Sequence, residues 1–83
     1  MARVKTRAEA EKNISGVTIK ELRLGLGITQ EQLGARMQVQ GILWDQKIVS
    51  SVELQQRAIY DYELKAVAIA LDTSVDVLVE MRR

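Results

Sequence analysis

The chain has no cysteine, no histidine and no proline among its 83 residues. Without cysteine or histidine there are no disulfides, no thiolate chemistry and none of the common zinc sites. Without proline, helices run uninterrupted. Aromatic side chains are limited to Trp44, Tyr60 and Tyr62, too few for a protein that binds single strands by stacking successive bases. No apolar run approaches the length of a membrane span. The N-terminus lacks the apolar stretch of a signal peptide, so a cytoplasmic location with no membrane partner is expected. Catalysis would fall to scattered carboxylates and lysines that nothing gathers in a pocket. The expectation is a non-enzyme with no cofactor and no metal.

The length allows one domain, near the lower size for a self-sufficient core. Net charge is only +1, but residues 1–36 hold seven basic against four acidic side chains and residues 37–83 hold five against seven. An ordinary mixed surface and a basic face turned towards phosphates both accommodate that asymmetry. Residues 1–13 are basic and almost free of large apolar groups, and read as a flexible arm or a short helix over 8–12. As an arm, Arg3, Lys5 and Arg7 would neutralise DNA phosphates.

From residue 14 to residue 81 the pattern is helical throughout, and residues 82–83 form the C-terminal end. Ile19, Leu22 and Leu26 make the apolar stripe of a first helix, with Arg23 beside it and Gly27 as its left-handed terminator. Thr29 and Gln32 have capping-box spacing, which starts a second helix carrying Leu33 and Met37 on one face and ending near Gln38 or Gln40. Gly34 inside it reads as a place where another helix backbone comes close, or as a tolerated surface glycine. Gly41 breaks the pattern, and an apolar loop of Ile42, Leu43 and Trp44 follows. Asp45 caps a third short helix, 45–53. Ile48, Val49 and Val52 are its apolar side, and Gln46, Lys47, Ser50 and Ser51 its polar outer face. Such a helix, braced by another across a turn, fits a DNA major groove. A polar loop over 54–58 leads to a fourth helix, 59–71, lined by Leu64, Val67, Ala68 and Leu71, with Asp61 and Glu63 favoured by the dipole at its start. Ser74 caps a last helix over 75–81, with Val75, Leu78 and Val79 facing inward. The fold class is therefore all-α, five short helices in one compact bundle.

These residues resemble the Cro/C1-type (XRE) helix-turn-helix DNA-binding family, with its lambda-repressor-like bundle. The likeness rests on I-K-E-L-R … G-I-T-Q-E-Q-L-G-A-R-M from Ile19 to Met37. It continues in V-S-S-V-E and R-x-x-x-D-x-E-L-x-A-V-A-x-A-L-x-x-S-V-D-x-L from Val49 to Leu78. The resemblance implies that the second and third helices form the helix-turn-helix. Gln30 matches a glutamine that bonds a phosphate and braces the recognition helix. Gln46, Lys47 and Ser51 match positions that reach base edges or phosphates, with Ser50 a further polar contact. Arg23 and Glu53 match a partly buried salt bridge between the first and third helices.

The implied function is a repressor-type regulator that reads double-stranded DNA as a homodimer. The alternative is a protein-interaction module, antitoxin-like or anti-repressor, that uses loop 42–44. Trp44 itself reads either as a staple onto Val49 or as a partner-facing side chain.

Three departures from the family pattern stand out. Thr29 to Glu53 spans 24 positions, which places the chain in a subset with a lengthened connection between the second and third helices. That subset extends the second helix and widens the turn. Gln55 stands where relatives have glycine, so the loop there is expected to take another path. Asp72 also replaces a glycine, a milder change.

Overall fold

Capping chemistry marks out the helices. The computed structural model describes residues 12–80 and holds no strand among them. The helices are α1 Gly16–Gly25, α2 Gln30–Val39, α3 Gln46–Glu53, α4 Asp61–Ala70 and α5 Val75–Val79. Thr29 Oγ1 accepts from Gln32 N at 3.0 Å while Gln32 Oε1 accepts from Thr29 N at 2.8 Å, the reciprocal box that the spacing predicts. Asp45 accepts from Ile48 N at 2.9 Å and Ser74 from Val77 N at 3.3 Å. The fourth helix runs Asp61–Ala70 instead of the expected 59–71, because Glu63 Oε1 accepts from Tyr60 N at 2.9 Å and sets the cap there. The last helix ends two residues short of the expected 81, and Met81 lies outside the described residues.

The first four helices end alike, each in a Schellman motif around a left-handed residue: Gly27 (φ 71°), Gly41 (φ 81°), Gln55 (φ 61°) and Asp72 (φ 54°). At α3, Gln55 N reaches Val52 O at 3.0 Å and Gln56 N reaches Ser51 O at 2.9 Å. The expectation that glutamine would divert this loop is therefore wrong. Its left-handed conformation is held by those bonds and by two more to the segment before α1. Lys12 N donates to Gln55 O at 2.9 Å, and Gln55 Nε2 donates to Asn13 O at 3.2 Å.

Asn13, placed with the arm by the sequence, is buried in the fold. Its Oδ1 accepts from Ser15 N and Gly16 N, and its Nδ2 donates to Val52 O at 3.0 Å and Arg57 O at 2.8 Å. One amide thus starts α1 and satisfies carbonyls at and beyond the end of α3. The folded unit includes Lys12 and Asn13. The rest of the arm, Arg3, Lys5 and Arg7 included, lies outside the described residues.

The core is built from Ile19, Leu33, Met37, Trp44, Val49, Val52, Val67 and Leu78, all fully buried. In it α2 packs on α3 and α4, α1 on α3 and α5, and α4 on α5. Trp44 and Val49 share that cluster, as a staple requires. Two apolar residues are not where periodicity put them. Leu26 is 46% exposed because it is the C-cap of α1, where the chain turns away, and Thr18 and Arg23 fill the buried face instead. Val75, at the first position of α5, is 37% exposed, leaving Leu78 as that helix's buried anchor. Side chains from α2 and its C-cap also bond carbonyls of α4. Arg36 Nη1 donates to Ala70 O and Gln40 Nε2 to Ala66 O, each at 2.8 Å.

Gly34 does mark a close approach, but of the loop backbone before α3 and not of another helix. A Cβ there would sit 2.9 Å from the Trp44 carbonyl oxygen, on the segment leading into α3. Gly25 has open space around it. Gly34→Ala is expected to lower stability by about 1–3 kcal/mol through overpacking against backbone. Gly25→Ala should raise it by about 0.5–1 kcal/mol. Urea unfolding of both variants checks the pair, and effects of the same sign would remove the close-approach argument.

Candidate nucleic-acid interface

The polar face of α3 is positioned by three sets of hydrogen bonds, each from a different part of the chain. The first lies on its inner side. Arg23 Nε donates to Glu53 Oε2 at 2.6 Å and Arg23 Nη2 to Glu53 Oε1 at 3.0 Å, with both side chains buried. Arg23 Nη1 continues to Ile28 O at 2.9 Å, so each of the three guanidinium nitrogens has a partner. This is the pair that the resemblance implies, joining α1 to α3.

The second set is a chain of amides. Gln30 Nε2 donates to Glu53 Oε1 at 3.1 Å, and Gln46 Nε2 donates to Gln30 Oε1 at 2.8 Å. Its polarity follows from Glu53, because an ionised carboxylate only accepts. Gln30 must turn its NH2 towards Glu53, so its carbonyl faces Gln46, and Gln46 must donate. The orientation of an exposed amide on α3 is thereby dictated by a buried acid at the other end of the same helix. Gln30 and Gln46, read separately in the sequence, meet through this bond. Lys47 stands exposed beside Gln46, whereas Ser50 and Ser51 are half-buried and less prominent than the sequence suggested.

The third set was not foreseen. Glu63 of α4 accepts from Trp44 Nε1 at 3.0 Å on Oε2, from Arg57 Nη2 at 3.0 Å on Oε2, and from Arg57 Nη1 at 3.1 Å on Oε1. Tyr60 N adds a bond to Oε1 at 2.9 Å. The Arg57 guanidinium also lies 5.6 Å from the centre of the Trp44 ring, within cation–π reach. Trp44 immediately precedes the N-cap of α3, and Arg57 follows its C-terminal turn. One carboxylate therefore ties both flanks of α3 to α4. Two signals in the sequence could have pointed here: a glutamate at the third position of α4, able to reach back to the helix start, and a tryptophan whose N–H must find a partner once buried.

No family model matches the chain, and no curated protein matches it. Among solved structures, the restriction-modification controller protein C.AhdI from Aeromonas hydrophila superposes with a TM-score of 0.66. It is 32% identical and covers 76% of this chain and 88% of that one. The chain belongs to the Cro/C1-type helix-turn-helix family. A hypothetical transcription factor, NHTF from Neisseria, matches at a TM-score of 0.72 over 98% of this chain and 86% of that chain. At 21% identity it speaks for the fold alone. The family is one of regulators, not enzymes. As a Cro/C1-type protein the chain has α2 and α3 as its helix-turn-helix. The lengthened connection is the six residues 40–45, whose turn is closed by Gly41 N on Gln38 O at 2.9 Å and Ile42 N on Met37 O at 3.1 Å. No described helix is long and apolar enough to cross a membrane.

Arg23→Ala would strand the buried Glu53 carboxylate, a change that costs about 3–5 kcal/mol. Chemical denaturation is expected to show that loss, and unchanged stability would rule out the pairing. At Glu63, burial pushes the carboxyl up, but the hydrogen bonds from Arg57, Tyr60 N and Trp44 outweigh it and hold the group below its ordinary value. Its stabilisation is therefore complete above the unfolded value of about 4.3 and is lost as pH falls through the lower folded value. Glu63→Gln is expected to be less stable than wild type at pH 7, with the gap narrowing below about pH 4. Urea midpoints across that range test it, and a gap independent of pH would contradict the assignment.

Proposed function

We propose that this protein is a cytoplasmic transcription regulator of the repressor type that binds double-stranded DNA sequence-specifically as a homodimer, with α3 in the major groove. The observation that carries the reading is the directed chain from Arg23 through Glu53 and Gln30 to the exposed Gln46. With one N–H committed to Gln30, Gln46 keeps one N–H and its carbonyl oxygen for a base edge. That combination matches adenine, which offers N7 as acceptor and N6 as donor. Guanine offers two acceptors, N7 and O6, and would need both N–H groups of the amide. Lys47, next to it, supplies a cation for guanine or phosphate, and Ser50 and Ser51 supply shorter polar contacts. The likeness to a restriction-modification controller protein supports regulation as the role.

A single short helix reads too few base pairs for selectivity, so a two-fold operator and a dimer follow. The stacked, exposed pair Tyr60 and Tyr62, with ring centres 5.8 Å apart, and Ile69 two turns along α4 offer apolar surface for that dimer. A dimer on its operator represses by occlusion, with no further surface required. In the protein-interaction alternative Trp44 cannot form the patch, because it is 1% exposed and held by the core and Glu63, which leaves Leu43 as the exposed apolar side chain of loop 42–44.

Selection from a random duplex library, followed by anisotropy titration at two salt concentrations, tests the proposal. A two-fold motif containing adenine is expected, with Gln46→Ala and Lys47→Ala each weakening binding to it by about 10–100-fold. Salt-sensitive binding without an enriched motif would leave only counterion release and overturn the specific reading.

A further inference from the structure

Loop 42–44 is apolar, yet its three side chains have different fates. Trp44 is buried, Ile42 is half-buried, and Leu43 is 82% exposed. Single exposed leucines are common on protein surfaces and need no function. Leu43 differs in how firmly its surroundings are held. Trp44 N donates to Ile42 O at 2.9 Å, closing a three-residue turn with Leu43 at its centre. On one side the loop is anchored by Ile42 N on Met37 O, on the other by Gln38 Nε2 on Trp44 O at 3.0 Å and by Trp44 Nε1 on Glu63. The inward commitment of Trp44 turns its neighbour outward. The outcome is a leucine held on a pinned turn, two residues ahead of the N-cap of α3.

Its position gives the apolar group a use. The N-terminal end of a recognition helix is the part that reaches base edges, and Gln46 and Lys47 occupy that end here. Leu43 precedes them by three and four residues, flanking the same end of α3. Of the groups that base edges present in the major groove, one is apolar: the methyl at C5 of thymine, which 5-methylcytosine also carries. We infer that Leu43 is a specificity-determining residue that packs on the C5 methyl group of a pyrimidine, thymine in unmodified DNA, beside the base read by Gln46. This rests on the DNA-reading function proposed above.

Methyl deletion and addition test it on the full chain with the selected operator. Each thymine is replaced in turn by deoxyuridine, which removes only the methyl, and each cytosine by 5-methylcytosine, which adds one. For wild type, one symmetry-related thymine is expected to lose about three- to five-fold in affinity on becoming uridine, the size of one buried methyl group. Leu43→Ala should bind thymine and uridine operators equally at that position, while Leu43→Met restores the difference. Gln46→Ala should keep the methyl sensitivity despite weaker binding overall. Leu43 is exposed, so its variants are expected to retain the wild-type near-ultraviolet spectrum of Trp44. Operator binding that depends on Gln46 and Lys47, with no methyl effect removed by Leu43→Ala, overturns the inference and leaves the DNA reading intact. A methyl effect confined to 5-methylcytosine reassigns the contact to a modified base and overturns the thymine assignment. Absence of any sequence-selective binding overturns both readings together.

Discussion

The buried carboxylate of Glu53 is the constraint on which the rest of the structure depends. It meets Arg23 of α1 and Gln30 of α2 from its place at the end of α3, so three helices converge on one charge. Taking such a pair out of water is expensive, and its mutual attraction offsets the cost only when every donor and acceptor is satisfied. Here each guanidinium nitrogen of Arg23 donates once, two to Glu53 and one to Ile28 O. Among the described residues no buried side-chain nitrogen or oxygen lacks a partner. An apolar contact tolerates sliding, whereas this one does not. Rotating α3 would leave a charge buried and unpaired. The ion pair therefore ties the end of α3 to α1 and, through Gln30, to α2.

Glu63 does the complementary work from the other side. Glu53 holds the inner face of α3, while Glu63 holds the segments that lead into and out of it through Trp44 and Arg57. Asn13 adds a neutral link between the start of α1 and the end of α3. With its inner face and both flanks fixed by polar groups of definite direction, an eight-residue helix too short to persist alone becomes a rigid element. Rigidity at the polar face follows from the interior. The amide of Gln46 is oriented because that of Gln30 is, and Gln30 because Glu53 can only accept.

The backbone stores a little strain to reach this arrangement. Two of the four left-handed helix terminators are glycine, and two are not. At Gln55 the conformation is disfavoured for any residue with a Cβ. It is held by the Schellman bonds of α3 and by contacts to Lys12 and Asn13, so the same residue closes α3 and anchors the chain before α1. A glycine there would relax the backbone and lose the side-chain bond to Asn13.

Much of this was legible in the sequence, and the division follows the range of the forces involved. Thr29 with Gln32, Asp45 with Ile48 and Ser74 with Val77 act within one helical turn, so residue type and spacing sufficed to place the helix starts. Gly27 and Gly41 announced two of the four ends because glycine alone pays nothing for a positive φ. The apolar stripes of α2 and α3, and the Arg23–Glu53 pair implied by the family resemblance, also came out as read. The left-handed path through Gln55, the burial of Asn13, the exposure of Leu26 and the meeting of Trp44, Arg57 and Glu63 did not. Each depends on which atoms of distant segments face each other once the helices are packed, and neither periodicity nor propensity contains the angle between helices. By itself the sequence determined where the capped helices α2, α3 and α5 begin and which faces of α2 and α3 are apolar, because those are local. Only the tertiary structure decided how α3 is held and which of its polar groups point outward, because buried charges meet partners that the chain brings from 19 and 30 residues away.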